Sequence, residues 1–239
     1  MSEKSVNFNK YDNHPMKTKI VTACYFMISI IYISYGNMAT PLVAIILKAL
    51  IIPVLMLLFI INIRPAGNRS HRMIILALIF AWCGDILLGV PKESADLFVP
   101  GLVSFLLAHV MYLSVFFRTP GENFIIRKRT YFLVPVAIYG ILLLYILFDR
   151  LGDMKLPVII YTIVILTMVS SAMNRYGKVN SNSWLLVMAG AILFLLSDSG
   201  IAIDKFLKPL PGAQVMIMST YVLAQYLIVT GYIHQFKKP

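Results

Sequence analysis

The chain predicts an all-α, polytopic transmembrane bundle of eight helices, and three observations carry that prediction. Hydrophobic residues make up 59% of the 239 positions and charged residues only 13%. The mean hydropathy of +0.83 exceeds what a soluble domain of this length needs. Apolar residues also gather into runs near the length that crosses roughly 30 Å of hydrocarbon, with charges collected between them. Finally, the runs are continuous rather than alternating apolar and polar, which argues against β-barrel strands.

Residues 1–18 read as a polar N-terminal tail carrying Pro15, and residues 19–236 as a single eight-helix domain. The first span, Ile20–Ser34, has the length of a signal-peptide core, but no convincing Ala-x-Ala site follows it. The second, Ala39–Ile61, carries Lys48. The third and fourth, Met73–Val90 and Leu97–Phe117, carry Asp85 and His109. The fifth, Tyr131–Phe148, is almost wholly apolar, and the sixth, Leu156–Ala172, is short like the first. The seventh, Trp184–Ile203, carries Asp198, and the eighth, Ala213–His234, carries Tyr221 and Gln225.

The net charge of +11 reports orientation rather than a nucleic-acid partner. With the N-terminus inside, the inner segments hold Lys4, Lys10, Lys17, Lys19, Arg64, Arg69, Arg72, Arg118, Arg127, Lys128, Arg129, Arg175, Lys178, Lys237 and Lys238. The outer loops hold only Lys92, Arg150, Lys155, Lys205 and Lys208. That bias predicts cytoplasmic N- and C-termini, and the cytoplasmic membrane if the source is a bacterium.

Two lone aspartates stand inside apolar runs. Asp85 lies in Gly84-Asp85-Ile86-Leu87-Leu88 and Asp198 in Leu196-Ser197-Asp198-Ser199-Gly200. Each costs about 2.5–3.5 kcal/mol near a helix centre, so a chain that keeps both uses them, as a site or as a polar clamp between helices. Cys83-Gly84-Asp85 echoes Leu196-Ser197-Asp198, and Leu107-Ala108-His109 echoes Leu223-Ala224-Gln225, at offsets of 113 and 116 residues. Four spans apart, such echoes fit a parallel 4+4 repeat.

Counting about 1.5 Å per residue, Asp85, Asp198 and Lys48 fall at comparable depth in the outer half. His109 and Gln225 come near mid-membrane, with Tyr112 and Tyr221 about one turn away on the same faces. Polar groups from five spans are thus expected to line one chamber. Small neighbours such as Ala77, Ala81, Gly89, Gly190 and Ala191 permit close helix approach. No cofactor or metal is expected, because a metal needs three or four convergent ligands and only one of the four histidines is mid-span. No Gly-x-Ser-x-Gly elbow occurs, and Trp82 spoils the Gly-x-Gly-Asp signature of an intramembrane aspartyl protease.

In order along residues 40–232 stand Lys48, Gly84-Asp85 with Leu88, Gly101…Phe105…His109…Tyr112, Gly190-Ala191…Phe194…Ser197-Asp198 and Tyr221…Gln225. On these residues the chain resembles the YhhN family of eight-span membrane proteins, which includes the lysoplasmalogenases. One departure is Ala49, where the family pattern has proline after the lysine; Pro53 stands one turn on. The resemblance implies hydrolysis of the vinyl-ether bond of a lysoplasmalogen to a fatty aldehyde and a glycerophospho-ethanolamine or -choline. It also implies that Asp85 and Asp198 carry catalysis. The partners are then a lysophospholipid substrate and membrane lipids.

The chemistry suits such a pair. An enol ether is opened by protonating its β-carbon, which leaves an oxocarbenium ion to be trapped by water. One carboxyl group then serves as acid while another stabilises the cation or directs water, as in glycosidases. Lys48 is expected to pair with a carboxylate or hold the lipid phosphate. His109, Tyr112, Tyr221 and Gln225 are expected to orient water or the glycerol hydroxyl. The rival reading is a proton- or ion-coupled transporter of a small molecule or lipid that uses the same aspartates as ligands.

Overall fold

The computed structural model describes residues 15–36, 38–63, 68–91, 97–121 and 130–236. Within them are eight helices long and apolar enough to cross a membrane. They are α1 (Pro15–Tyr35), α2 (Pro41–Asn62), α3 (Arg69–Gly89), α4 (Phe98–Phe117), α5 (Leu133–Leu147), α6 (Lys155–Met173), α7 (Ser181–Ala202) and α8 (Ala213–His234). Short 3-10 turns extend α5 to the span Thr130–Arg150 and α6 to Gly152–Met173, and a π-helical turn, Ile203–Leu207, continues α7. The chain is an integral, multi-pass membrane protein. Lys4, Lys10, Arg64, Lys92, Arg127, Lys128, Arg129, Lys237, Lys238 and the first fourteen residues of the expected tail lie outside the described residues.

The spans read from sequence differ from these helices mainly at their ends. The first helix already includes Pro15 to Lys19, residues assigned above to the polar tail. The polar side chains of a first turn still allow helical backbone, and proline is well accommodated there because its missing N–H has no intrahelical acceptor to lose. The short sixth run likewise gains its opening turn from Gly152–Met154.

Local sequence explains several starts. Asn68 caps α3 by accepting from the Ser70 backbone N–H at 2.9 Å, and Asn180 caps α7 through Ser183 at 2.8 Å. Each satisfies a donor that the first helical turn leaves orphaned. Gly212 precedes α8 with φ +69°, a left-handed conformation that favours glycine.

The most extensive pairings are α7 with α8 and α3 with α4. At Gly190 an added Cβ would lie 2.8 Å from the Ala224 carbonyl oxygen, and at Gly231 it would lie 2.9 Å from the Val187 nitrogen. These glycines let α7 and α8 meet backbone to backbone. Without a hydrophobic drive between helices in lipid, such close packing supplies the association. The core runs through α1–α4 and α6–α8. By contrast α5 buries only Gly140 and Leu147, so it lies at the edge of the bundle.

Polar ties fix the helices around the middle. Pro53, inside α2, lacks the N–H that would pair with the carbonyl of Ala49 four residues earlier. The Trp82 indole of α3 donates to that freed carbonyl at 2.7 Å. The unpaired group would otherwise be costly in an apolar medium, so the proline and the tryptophan together lock α2 to α3 beside Lys48. Tyr25 of α1 donates to the Val222 carbonyl of α8 at 2.8 Å.

Arg175, counted above among the loop cations, is fully buried. Its guanidinium donates to Thr119, Ser183 and Gln235 at 3.3, 3.2 and 3.0 Å and stacks over Phe116. It ties the end of α6 to the ends of α4, α7 and α8. Burial lowers its pKa to about 10, which leaves it charged at neutral pH.

Candidate active site

The opening residues of α2 and α8 and the closing residues of α3 and α7 enclose a hollow of about 280 Å³. Lys48, Asp85, Asp198 and Tyr221 line it, with Ser197 and a mostly apolar remainder that includes Leu88, Phe105, Ile201 and Met218. Four of the seven residues singled out in the sequence therefore share one cavity. His109 lies directly behind Asp198. Tyr112 and Gln225 are fully buried and do not line the hollow; they stand behind Tyr221.

The two carboxyl groups have unlike neighbours. The Lys48 ammonium is 3.5 Å from Asp85 Oδ1, and the Tyr221 hydroxyl donates to Asp85 Oδ2 at 2.6 Å. Behind it the Gln225 amide donates to the Tyr221 oxygen at 3.4 Å, and Tyr112 donates to Gln225 Oε1 at 2.6 Å. Every donor in this chain points toward Asp85. Bonds aligned in one direction polarise one another, and all of them favour a negative charge at their end.

Asp198 has no such cation. Tyr161 of α6 donates to its Oδ2 at 2.6 Å, and His109 Nε2 is 3.3 Å from the same oxygen. The protonation of this pair follows from the other ring nitrogen. His109 Nδ1 lies 2.6 Å from the Phe105 carbonyl oxygen, which can only accept, so Nδ1 carries hydrogen. In the neutral ring Nε2 is then an acceptor, and it has no other hydrogen-bond partner among the described residues. One proton belongs between Nε2 and the Asp198 carboxyl.

Neighbouring contacts hold both aspartates in register. Ser197 donates to the Ile217 carbonyl of α8 at 3.1 Å, and the Tyr139 hydroxyl of α5 donates to Ser199 Oγ at 2.8 Å. On α3, an added Cβ at Gly84 would come 2.6 Å from the Phe105 ring. The glycine beside Asp85 is the space into which that ring fits.

A second void, about 610 Å³, opens on the other side of Asp198. Its walls come from α4, α5, α6 and α7 with the π turn and are almost wholly apolar: Phe98, Leu102, Leu143, Leu147, Val158, Ile165, Leu195, Ala202 and Phe206. Leu88, Phe105, Asp198 and Ile201 line both spaces. Asp198 is the one polar residue on that shared wall.

Sequence reasoning did not pick out Tyr161. Its signal was the Tyr161-Thr162 pair interrupting the sixth apolar run at a depth comparable to Asp198. A tyrosine in such a run reads equally well as an interfacial anchor.

An eight-helix membrane bundle with two buried carboxyl groups on one hollow defines the class: a membrane protein whose polar chemistry lies within the hydrocarbon layer. The YhhN family model matches residues 43–232, and the chain belongs to the YhhN family. Similar curated proteins include lysoplasmalogenase TMEM86B of Homo sapiens, 33% identical over 178 residues that span 74% of this chain and 70% of that protein. TMEM86B of Sus scrofa is 32% identical over 177 residues, with coverage of 74% and 70%. The lysoplasmalogenase of Mycobacterium tuberculosis is 30% identical over 172 residues, 71% of this chain and 63% of that protein. No solved structure matches the chain.

Proposed function

We propose that this protein is a lysoplasmalogenase that hydrolyses the vinyl-ether bond of an alkenyl lysophospholipid, with Asp198 as the acid and Asp85 as the anionic partner. The observation that carries the assignment is the unlike surroundings of the two carboxyl groups. Asp85 accepts from a lysine and a tyrosine and serves as the fixed negative charge. Asp198 shares a proton with His109 and serves as the donor.

The reaction then balances as follows. The Asp198–His109 pair gives its proton to the β-carbon of the R–CH=CH–O–glycerol unit. The double-bond electrons form the new C–H bond, and positive charge develops over the α-carbon and the ether oxygen. The Asp85 carboxylate, on the same hollow, stabilises that charge; aimed negative groups of this kind act strongly where water is scarce. Water adds to the α-carbon and returns a proton to the Asp198–His109 pair. The hemiacetal collapses to R–CH₂–CHO and the glycerol hydroxyl. Tyr112 and Gln225 act at one remove, by holding the Tyr221 hydroxyl on Asp85.

The test is purified protein in detergent with 1-alkenyl lysophosphatidylethanolamine. It is expected to release fatty aldehyde and glycerophosphoethanolamine in equal amounts and to leave the 1-alkyl ether analogue intact, because that molecule has no carbon able to accept the proton. Absence of aldehyde, together with substrate accumulation in proteoliposomes that depends on a pH gradient, would favour the transporter reading.

A further inference from the structure

We infer that the apolar void between α4, α5, α6 and α7 is the subsite for the hydrocarbon chain of the alkenyl lysolipid, so that the substrate lies across Asp198 with its chain on one side and its head group on the other. The inference rests on the hydrolase reading above and adds the pose.

The reacting bond of such a lipid sits at the junction of chain and head. Its β-carbon carries the chain, and its α-carbon carries the ether oxygen. A site for this bond needs an acid on a boundary, with apolar space on the β-carbon side and polar space on the oxygen side. Asp198 meets that description, as the sole polar member of the wall shared by the 610 Å³ apolar void and the hollow that holds Lys48 and Asp85. The void lies within the roughly 300–1,000 Å³ range of ligand pockets. The alternative groove, lined by α4, α5 and α6 residues from Leu113 to Asn174, is larger but touches neither aspartate.

The pose places the charged head group toward Lys48. It also makes selection a matter of shape. The chain leaves one hydrocarbon medium for another, so its burial supplies little net drive, and discrimination arises where the walls end.

Two variants narrow the void from opposite sides, Ala202→Phe on α7 and Val158→Phe on α6. Each is compared with wild type on alkenyl lysophosphatidylethanolamines of 4 to 18 carbons, alongside its melting temperature. The ratio of kcat/KM for the longest chain over the shortest is expected to fall by about tenfold or more in a folded variant. In parallel, an 18-carbon 1-alkyl analogue with a diazirine at the chain end is photolysed on wild-type protein and is expected to label peptides containing Leu143, Leu147 or Phe206. A length ratio unchanged within twofold in folded variants, or labelling confined to the Leu113–Asn174 groove, overturns the subsite. Wild-type protein that cleaves no alkenyl lipid of any length sinks the hydrolase reading instead. The labelling arm needs no turnover and still reports on chain binding.

Discussion

Asp198→Asn separates proton donation from architecture, because the amide reproduces every contact except the acidic proton. Its carbonyl accepts from Tyr161 where Oδ2 does now, at 2.6 Å. Its N–H₂ donates to His109 Nε2, which is 3.3 Å from the present carboxyl oxygen and bare in the neutral ring. With both bonds kept, stability is expected to change by less than about 1 kcal/mol, a shift of roughly 2–4 °C in Tm at this size. Activity behaves differently. A positioned general acid contributes about 10²–10⁴-fold, equivalent to roughly 2.7–5.4 kcal/mol of barrier at about 1.36 kcal/mol per tenfold. The assay is aldehyde release from alkenyl lysophosphatidylethanolamine in micelles, read as kcat/KM, with thermal unfolding measured on the same preparation. A folded variant retaining more than a tenth of wild-type kcat/KM refutes the role given to Asp198.

Asp85→Asn is expected to abolish activity and also to destabilise, because Lys48 loses the carboxylate 3.5 Å away; breaking a buried pair costs about 3–5 kcal/mol. Adding Lys48→Met should restore the melting temperature and leave the activity lost, as thermal unfolding and aldehyde assay on the double variant will report. Hydrolysis in D₂O should place one deuterium on carbon 2 of the aldehyde, read by mass spectrometry after immediate reduction, and should run slower than in H₂O if carbon protonation limits the rate. Arg175→Ala should lower stability by about 3 kcal/mol or more through the cavity left among Phe116, Thr119 and Ser183. Arg175→Met, which refills that space without a charge, should recover most of it in the same unfolding measurement.

The parts of this molecule that could be read from sequence are those where physics leaves few choices. A backbone in hydrocarbon must pair its own polar groups, so apolar runs became helices whose ends differ by a few residues from the spans expected. Asp85, Asp198 and Lys48 stood out because ionisable groups inside such runs are costly. Three features were hidden for identifiable reasons. Arg175 sits at the end of a span, where a buried cation and a solvated one look alike in sequence. Tyr161 is an aromatic residue in an apolar run, which needs no special explanation until its hydroxyl is seen on Asp198. The pairing of the Trp82 indole with the carbonyl freed by Pro53 depends on which helix lies next to α2, and one-dimensional pattern does not state that.

The same face of α4 backs both carboxyl groups, which makes the site sensitive to a helix that contributes no carboxylate. Phe105, His109 and Tyr112 follow the i, i+4, i+7 spacing of one helical stripe. Phe105 forms part of the wall between the two voids, His109 holds the proton side of Asp198, and Tyr112 reaches Asp85 through Gln225 and Tyr221. Two glycines set the approach of α3 and α4. An added Cβ at Gly84 would lie 2.6 Å from the Phe105 ring, and one at Gly101 would lie 2.6 Å from Leu88. Gly84→Ala therefore has to move the ring or the helix, and either motion displaces His109 and Tyr112 together. Misplacement by about 1 Å can cost around 10²-fold in rate, so the variant is expected to lose activity to that extent while keeping all four residues on the polar hollow. The second-site change Phe105→Leu gives the new methyl room and should restore part of the loss, measured as kcat/KM on the alkenyl lipid. If Gly84→Ala alone is as active as wild type, α4 is not the element that positions the two carboxyl groups.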